Sequence, residues 1–258
     1  MTPFLKIAGM TYSVAGPWSL PRQRPYLAWA LMIALATVAP VARAQFIFAP
    51  SIRTELSNNP RSVTSGDFNG DGKLDLALAM GPMQRVSVAL GKGDGTFQPA
   101  RTYPAGPDCD FVTTVDIDGD GKLDLLVVNA ELDNGSVTLL HGNGDGTFQQ
   151  TTKRDAGHLP TSLAAGDFDG DGKPDLAVPS LRDSTVRLLL SKGGRTVTVP
   201  TGRGPGGVAV GDFNQDRKLD LVTANQSANT VSVLLGNGDG AFKSAVSYPA
   251  AIDRKSVV

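Results

Sequence analysis

A nine-residue run of alternating acids, written four times, constrains this chain more than any other feature. The copies align without gaps: Asp67-Phe-Asn-Gly-Asp-Gly-Lys-Leu-Asp75, Asp116-Ile-Asp-Gly-Asp-Gly-Lys-Leu-Asp124, Asp167-Phe-Asp-Gly-Asp-Gly-Lys-Pro-Asp175 and Asp212-Phe-Asn-Gln-Asp-Arg-Lys-Leu-Asp220. Their starts recur after 49, 51 and 45 residues. A second landmark follows three of them: Gly91-Lys-Gly-Asp-Gly-Thr-Phe97, Gly142-Asn-Gly-Asp-Gly-Thr-Phe148 and Gly236-Asn-Gly-Asp-Gly-Ala-Phe242. In the third copy it has decayed to Lys192-Gly-Gly-Arg-Thr196. Two motifs in one fixed order mean tandem units, and such a period is the mark of a repeat architecture.

Between the landmarks the sequence reads as strands. Residues 74–80, 123–130, 174–180 and 219–225 are short apolar runs, whereas 85–90, 136–140, 185–190 and 230–235 alternate Val or Leu with Ser, Thr or Arg. Gly-Asp-Gly and Asn-Gly tracts supply the positive-φ positions of tight hairpins. No stretch after residue 44 has a useful helical period. Each unit is expected to hold four strands: one entering the acidic loop, one leaving it, then a hairpin pair. A unit of this size cannot bury both faces alone, so neighbours must stack. The fold class expected is all-β, a β-propeller of four-stranded blades. Four blades are present, at about 60–106, 107–157, 158–204 and 205–250, with 45–59 as a closing outer strand and linker. Phe46-Ile-Phe-Ala-Pro50 resembles Phe97-Gln-Pro-Ala100, and Tyr248-Pro249 matches Tyr103-Pro104. The four blades therefore read as part of a larger ring, an open arc with sticky faces.

Oxygen donors at positions 1, 3, 5 and 9 of each loop, with glycine at position 6 in three of four, suit calcium, which takes six or more hard ligands. The candidate ligands are Asp67, Asn69, Asp71 and Asp75; Asp116, Asp118, Asp120 and Asp124; Asp167, Asp169, Asp171 and Asp175; and Asp212, Asn214, Asp216 and Asp220. At position 7, Lys73, Lys122, Lys173 and Lys218 offer backbone carbonyls, with their side chains expected to point to solvent. An EF-hand is excluded: its twelfth position needs Glu, and Leu78, Val127, Val178 and Thr223 stand there. The ninth aspartate is expected to close the shell instead. Single Asp-Gly tracts are ordinary turn formers, but these loops hold 14 of the chain's 25 acids. Without a cation the clustered carboxylates repel one another. The second and third loops present four carboxylates each and the first three. The fourth also has three and lacks both glycines, which predicts the weakest site.

The pairing of this loop with the Gly-Asp-Gly-[Thr/Ala]-Phe hairpin resembles the FG-GAP or VCBS-type repeat, which is similar to the propeller head of integrin α subunits. The resemblance runs over roughly residues 46–250. It implies a propeller with calcium held in loops at one rim of the blades; it fixes fold and metal and not activity, and a role in binding or adhesion is a separate expectation.

The first 44 residues carry Lys6, Arg22, Arg24 and Arg43 and no acid. A short apolar run at 27–39 and then Ala42-Arg43-Ala44 follow the positive segment, the order of a secretory signal cleaved before Gln45. The run is short for a permanent span. Removing this segment takes the formal net charge from −1 to −5, and four calcium ions would bring it to +3. Nothing after it is basic enough for nucleic acid. The lone Cys109 is expected to be a buried small hydrophobe. His141 and His158 lie outside the motifs and are expected at the surface, and no nucleophile–base pair is apparent. The sequence thus points to a secreted or cell-surface, calcium-stapled module that binds a protein or carbohydrate without catalysis. The alternatives are a structural surface or stalk module, or the scaffold domain of an extracellular enzyme.

Overall fold

The computed structural model describes residues 59–250 and two short strands nearer the N-terminus. The chain divides into two compact units, Met1–Pro50 and Ser51–Val258. In the first, β1 (Leu5–Ile7) and β2 (Met10–Tyr12) pair antiparallel. The apolar run at 27–39, the Ala42-Arg43-Ala44 site and the Phe46–Pro50 stretch lie outside the described residues.

Among the described residues of the second unit sixteen strands form four four-stranded sheets, each an antiparallel meander in chain order. Blade 1 is β3 (Ser62–Gly66), β4 (Asp75–Met80), β5 (Arg85–Ala89) and β6 (Arg101–Pro104). Blade 2 is β7 (Cys109–Val115), β8 (Asp124–Asn129), β9 (Gly135–Gly142) and β10 (Phe148–Gly157). Blade 3 is β11 (Ala164–Gly166), β12 (Asp175–Ser180), β13 (Thr185–Leu189) and β14 (Thr196–Pro200). Blade 4 is β15 (Pro205–Gly211), β16 (Asp220–Asn225), β17 (Thr230–Leu234) and β18 (Val246–Pro249). The acidic loop joins the first strand to the second, and the glycine hairpin joins the third to the fourth. In a meander both connections fall at the same end of the sheet, so both motifs share one rim.

Second strands are largely apolar between their first and last residues because an inner blade buries both faces. In β8 every residue from Asp124 to Asn129 is buried. Alternate residues go to alternate neighbours: Leu125 and Val127 pack toward blade 1 with Ala77, Ala79, Val86 and Val88. Leu126 and Val128 pack toward blade 3 with Leu176, Val178 and Leu189.

The two motifs also couple one blade to the next. Gly146 N–H of blade 2 donates to the Phe68 carbonyl of blade 1 at 2.8 Å, and Gly240 N–H of blade 4 donates to the Phe168 carbonyl at 2.9 Å. Phe148 meets Phe68 edge-on at 5.4 Å, and Phe242 meets Phe168 at 5.9 Å. The loop phenylalanine is thus half of a contact whose other half is the next blade's hairpin.

Between blades 2 and 3 this contact is missing from both sides. Ile117 replaces the loop phenylalanine, and the decayed hairpin is a 3-10 turn at Lys192–Gly194. A cavity of 140 Å³ lined by Ile117, Leu126, Leu139 and Leu176 remains there. Arg154 bridges the gap, donating to the carbonyls of Leu190, Gly194 and Arg195 at 3.0–3.2 Å.

Among the described residues the ring is not closed. Phe213, the loop phenylalanine of blade 4, is 51% exposed, beside Val246 at 53% and Tyr248 at 54%. At the opposite end Leu74 is 67% exposed, whereas its counterparts Leu123 and Leu219 pack against the preceding blades at Gly66 and Gly166.

Candidate metal centres at the rim

The ninth-position aspartate anchors each loop. Asp75, Asp124, Asp175 and Asp220 have no exposed surface. One oxygen of each accepts the N–H of loop position 2: Phe68 to Asp75 at 2.8 Å, Ile117 to Asp124 at 3.0 Å, Phe168 to Asp175 at 3.0 Å and Phe213 to Asp220 at 2.9 Å. The other accepts an N–H from the end of the third strand: Gly91 at 2.7 Å, Gly142 at 2.8 Å, Ser191 at 2.7 Å and Gly236 at 2.8 Å. The sequence motif therefore has a structural task before any ligand arrives: it ties the acidic loop to the hairpin of its own blade. Each carboxylate oxygen still has a lone pair to offer.

Position 1 organises the turn. Asp67 Oδ1 accepts from Gly70 and Asp71 at 2.8 and 3.1 Å, and its Oδ2 accepts from Gly72 at 2.8 Å. Asp116 and Asp167 repeat these bonds on Gly119, Asp120 and Gly121 and on Gly170, Asp171 and Gly172. Asp212 accepts from Asp216 and Arg217 at 3.1 and 2.8 Å. In each loop the N–H of position 7 also donates to the carboxylate of position 5, at 2.9–3.0 Å.

The lysine side chains lie at the exposed surface, and two of them bend back to pair with their own loops. Lys73 Nζ lies 3.1 Å from Asp71 Oδ2, and Lys122 Nζ lies 3.0 Å from Asp120 Oδ2. The Lys73 N–H and then its ammonium hold the Asp71 carboxyl below the usual carboxylate range, and the Lys122 ammonium does the same for Asp120. The stems of Lys73, Lys122 and Lys218 lie over Gly93, Gly144 and Gly238 of their own hairpins. An ammonium can be held by a carboxylate while its stem covers backbone.

Convergence of side-chain oxygens is clearest in the second and third loops. Asp116, Asp118 and Asp124, and likewise Asp167, Asp169 and Asp175, each bring ligand atoms within 4.8 Å of one another. Burial raises the Asp124 and Asp175 carboxyls, and the nearby charges of Asp118 and Asp169 add to it. Asp169 Oδ1 is buried without a hydrogen-bond partner. A buried, unpartnered anionic oxygen on a residue clustered with two further carboxylates fits a hard dication. In the first and fourth loops Asn69 and Asn214 stand at position 3, and their side-chain oxygens accept from the N–H of Asp71 and Asp216 at 3.0 and 2.9 Å.

His141 overturns the expectation of a bystander at the surface. It is half-buried, with Nδ1 3.0 Å from Asp124 Oδ1 and Nε2 3.4 Å from Asp118 Oδ2. The repeat carried a signal for it: the residue before the hairpin is Leu90, Leu190 and Leu235 in the other copies and His141 only in the second. His158 lies away from the loops, with Nδ1 2.6 Å from Asp183 Oδ1. Ser180 Oγ also donates to that carboxylate, at 2.6 Å, rather than to the imidazole, so these three residues are not arranged as a nucleophile and its base. Cys109 is fully buried, and burial pushes its thiol up to about 12.

Comparison with known proteins agrees with this architecture. The FG-GAP-like repeat family matches residues 67–127 and 116–178. No curated protein sequence matches the chain significantly. Among solved structures it is similar to BBS1N in complex with ARL6DN, from a lead-soaked crystal, with a TM-score of 0.55 at 14% identity over 75% of this chain and 57% of that one. The mercury-soaked crystal of the same complex gives 0.51 at 15% identity over 76% and 55%. A Bacteroides uniformis protein described provisionally as a 6-phosphogluconolactonase gives 0.54 at 13% identity over 74% and 55%. The chain spans a little over half the length of these proteins, and at such identities the likeness is one of fold. With acidic loop, hairpin and meander repeated in register, residues 67–178 carry FG-GAP-like repeats, and the four sheets are propeller-type blades.

Proposed function

We propose that this protein is an exported binding module whose rim loops hold calcium as a structural staple, leaving the blade surfaces to recognise a protein or carbohydrate. The observation that carries the reading is the buried, unpartnered Oδ1 of Asp169 in a loop where Asp167, Asp169 and Asp175 bring carboxylate oxygens within 4.8 Å of one another. In this reading the side chains at positions 1, 3, 5 and 9 and the carbonyl at position 7 hold the ion. Bound calcium supplies positive charge where the blade gathers carboxylates, and it offsets the penalty of ionising the buried Asp124 and Asp175. A calcium-bound carboxylate is held ionised and is a poor proton donor, so the loops serve architecture rather than acid–base chemistry. Export follows from the order of charge, apolar run and small residues in 1–44.

Calorimetric titration with calcium, paired with thermal melts in calcium and in chelator, tests the staple. Heat uptake at several sites and a melting point raised by calcium support it, and neither effect with any excess of calcium sinks it. A protein and glycan array probed with and without chelator tests recognition. Capture of a defined ligand in calcium is the expected result, and no capture in either condition favours the stalk reading.

A further inference from the structure

The second loop differs from the other three in one donor. Where blades 1, 3 and 4 carry Leu90, Leu190 and Leu235, blade 2 carries His141. Leu90 and Leu190 pack onto the next blade's hairpin at Gly146 and Gly240. Blade 3 has no such hairpin to receive a side chain from blade 2, so position 141 is released from that packing. Its imidazole turns instead to the acidic loop of its own blade, with ring nitrogens 3.0 Å from Asp124 Oδ1 and 3.4 Å from Asp118 Oδ2.

A neutral imidazole has one N–H and one lone pair. In the tautomer that donates Nδ1–H to Asp124, Nε2 presents its lone pair toward Asp118, where a shared cation can sit. Ligand atoms of Asp118, Asp120 and His141 lie within 4.8 Å of one another. The side chains of Asp118 and Asp120 are partly exposed, and each already accepts a loop N–H through Oδ1, which fixes the carboxylates at the cluster. Lys122, bonded to Asp120, is exposed enough to swing away.

Calcium gains little from a nitrogen ligand, whereas imidazole with carboxylates suits zinc, cobalt and related dications. We propose that the second loop is a mixed nitrogen–oxygen site that takes a first-row transition dication through Asp118, Asp120 and His141. Solvent is left the remaining position. This deepens the reading of the loops as cation sites, and it would make one of the four chemically distinct.

Cobalt(II) is the probe, titrated into the full-length protein and followed by its visible absorption and by zinc competition. Wild type is expected to bind one equivalent with a nitrogen-perturbed band that zinc abolishes. His141→Leu installs the residue of the other three blades and should fold normally. It should weaken cobalt about 10- to 100-fold, as loss of a metal-site residue does, while calcium heats at the first, third and fourth loops stay unchanged. Asp169→Asn should do the reverse, altering calcium and sparing cobalt. Equal cobalt affinity in wild type and His141→Leu would overturn the assignment, as would no band in wild type. The calcium titration in the same protein reports separately on the staple.

Discussion

At position 6 of the fourth loop Arg217 holds φ at 66°, where Gly72, Gly121 and Gly172 hold 77°, 84° and 83°. A Cβ at any of those glycines would meet nothing within 4 Å, so the burden at Arg217 is backbone conformation and not crowding. A left-handed non-glycine residue costs about 1–2 kcal/mol. Arg217→Gly should therefore stabilise the protein by about 1 kcal/mol and tighten calcium at this loop by about tenfold, read by melts and by calorimetry. An unchanged affinity would show that the conformation is not limiting. The ninth-position carboxylates are more critical. Asp175→Ala strands two buried N–H groups at about 1–3 kcal/mol each, so a loss of several kcal/mol is expected in denaturant melts even without metal. Away from the loops, burial works against ionising Asp183, but bonds from Ser180 and His158 hold its carboxyl at about 2, below the ordinary 3.8. A depressed carboxyl contributes stability that is present above the unfolded pKa and lost as pH falls through the folded one. Stability should thus decline between roughly pH 4 and pH 2, and Asp183→Asn should flatten that limb.

Elements are joined by a repeated device, and the place where it fails is informative. Two of the three blade junctions use a loop phenylalanine, a hairpin glycine N–H and a hairpin phenylalanine. The junction of blades 2 and 3 has Ile117, a 3-10 turn and a 140 Å³ cavity. Arg154 substitutes by bonding three carbonyls, which gives fixed geometry but little apolar contact. Filling a cavity in an otherwise intact interface commonly adds about 0.5–2 kcal/mol. Ile117→Phe should raise the melting temperature accordingly, and a drop instead would show that the lining cannot admit a ring.

At the largest scale the decisive feature is a face of blade 4 that no described residue covers. Phe213, Val246 and Tyr248 are half exposed, whereas the loop phenylalanines Phe68 and Phe168, which meet a following blade, are buried. Exposed apolar patches of this kind drive association, so sedimentation should detect self-association that grows with concentration. Phe213→Asp should suppress it without changing the circular dichroism of the fold, because the side chain is already half in water. A wild-type chain that stays monomeric throughout would remove this inference.

The repeat itself, the four strands of each unit and the oxygen donors of the loops could be read from the sequence, because they rest on local patterns. Alternation sets which residues face inward, and glycine or asparagine spacing sets the turns. The tertiary structure decided the rest, because it arises from contacts between segments far apart in the chain. No local pattern says that Gly146 belongs to Phe68 of another unit, or that Lys73 and Lys122 fold back on their own loops. Nor does spacing say that the ninth aspartate is buried beneath two backbone N–H groups, a task that would keep it in place with no ion at all. His141 stands between the two cases. Aligned copies display it as the odd residue, but only a blade with no hairpin ahead of it frees that side chain to meet Asp118 and Asp124.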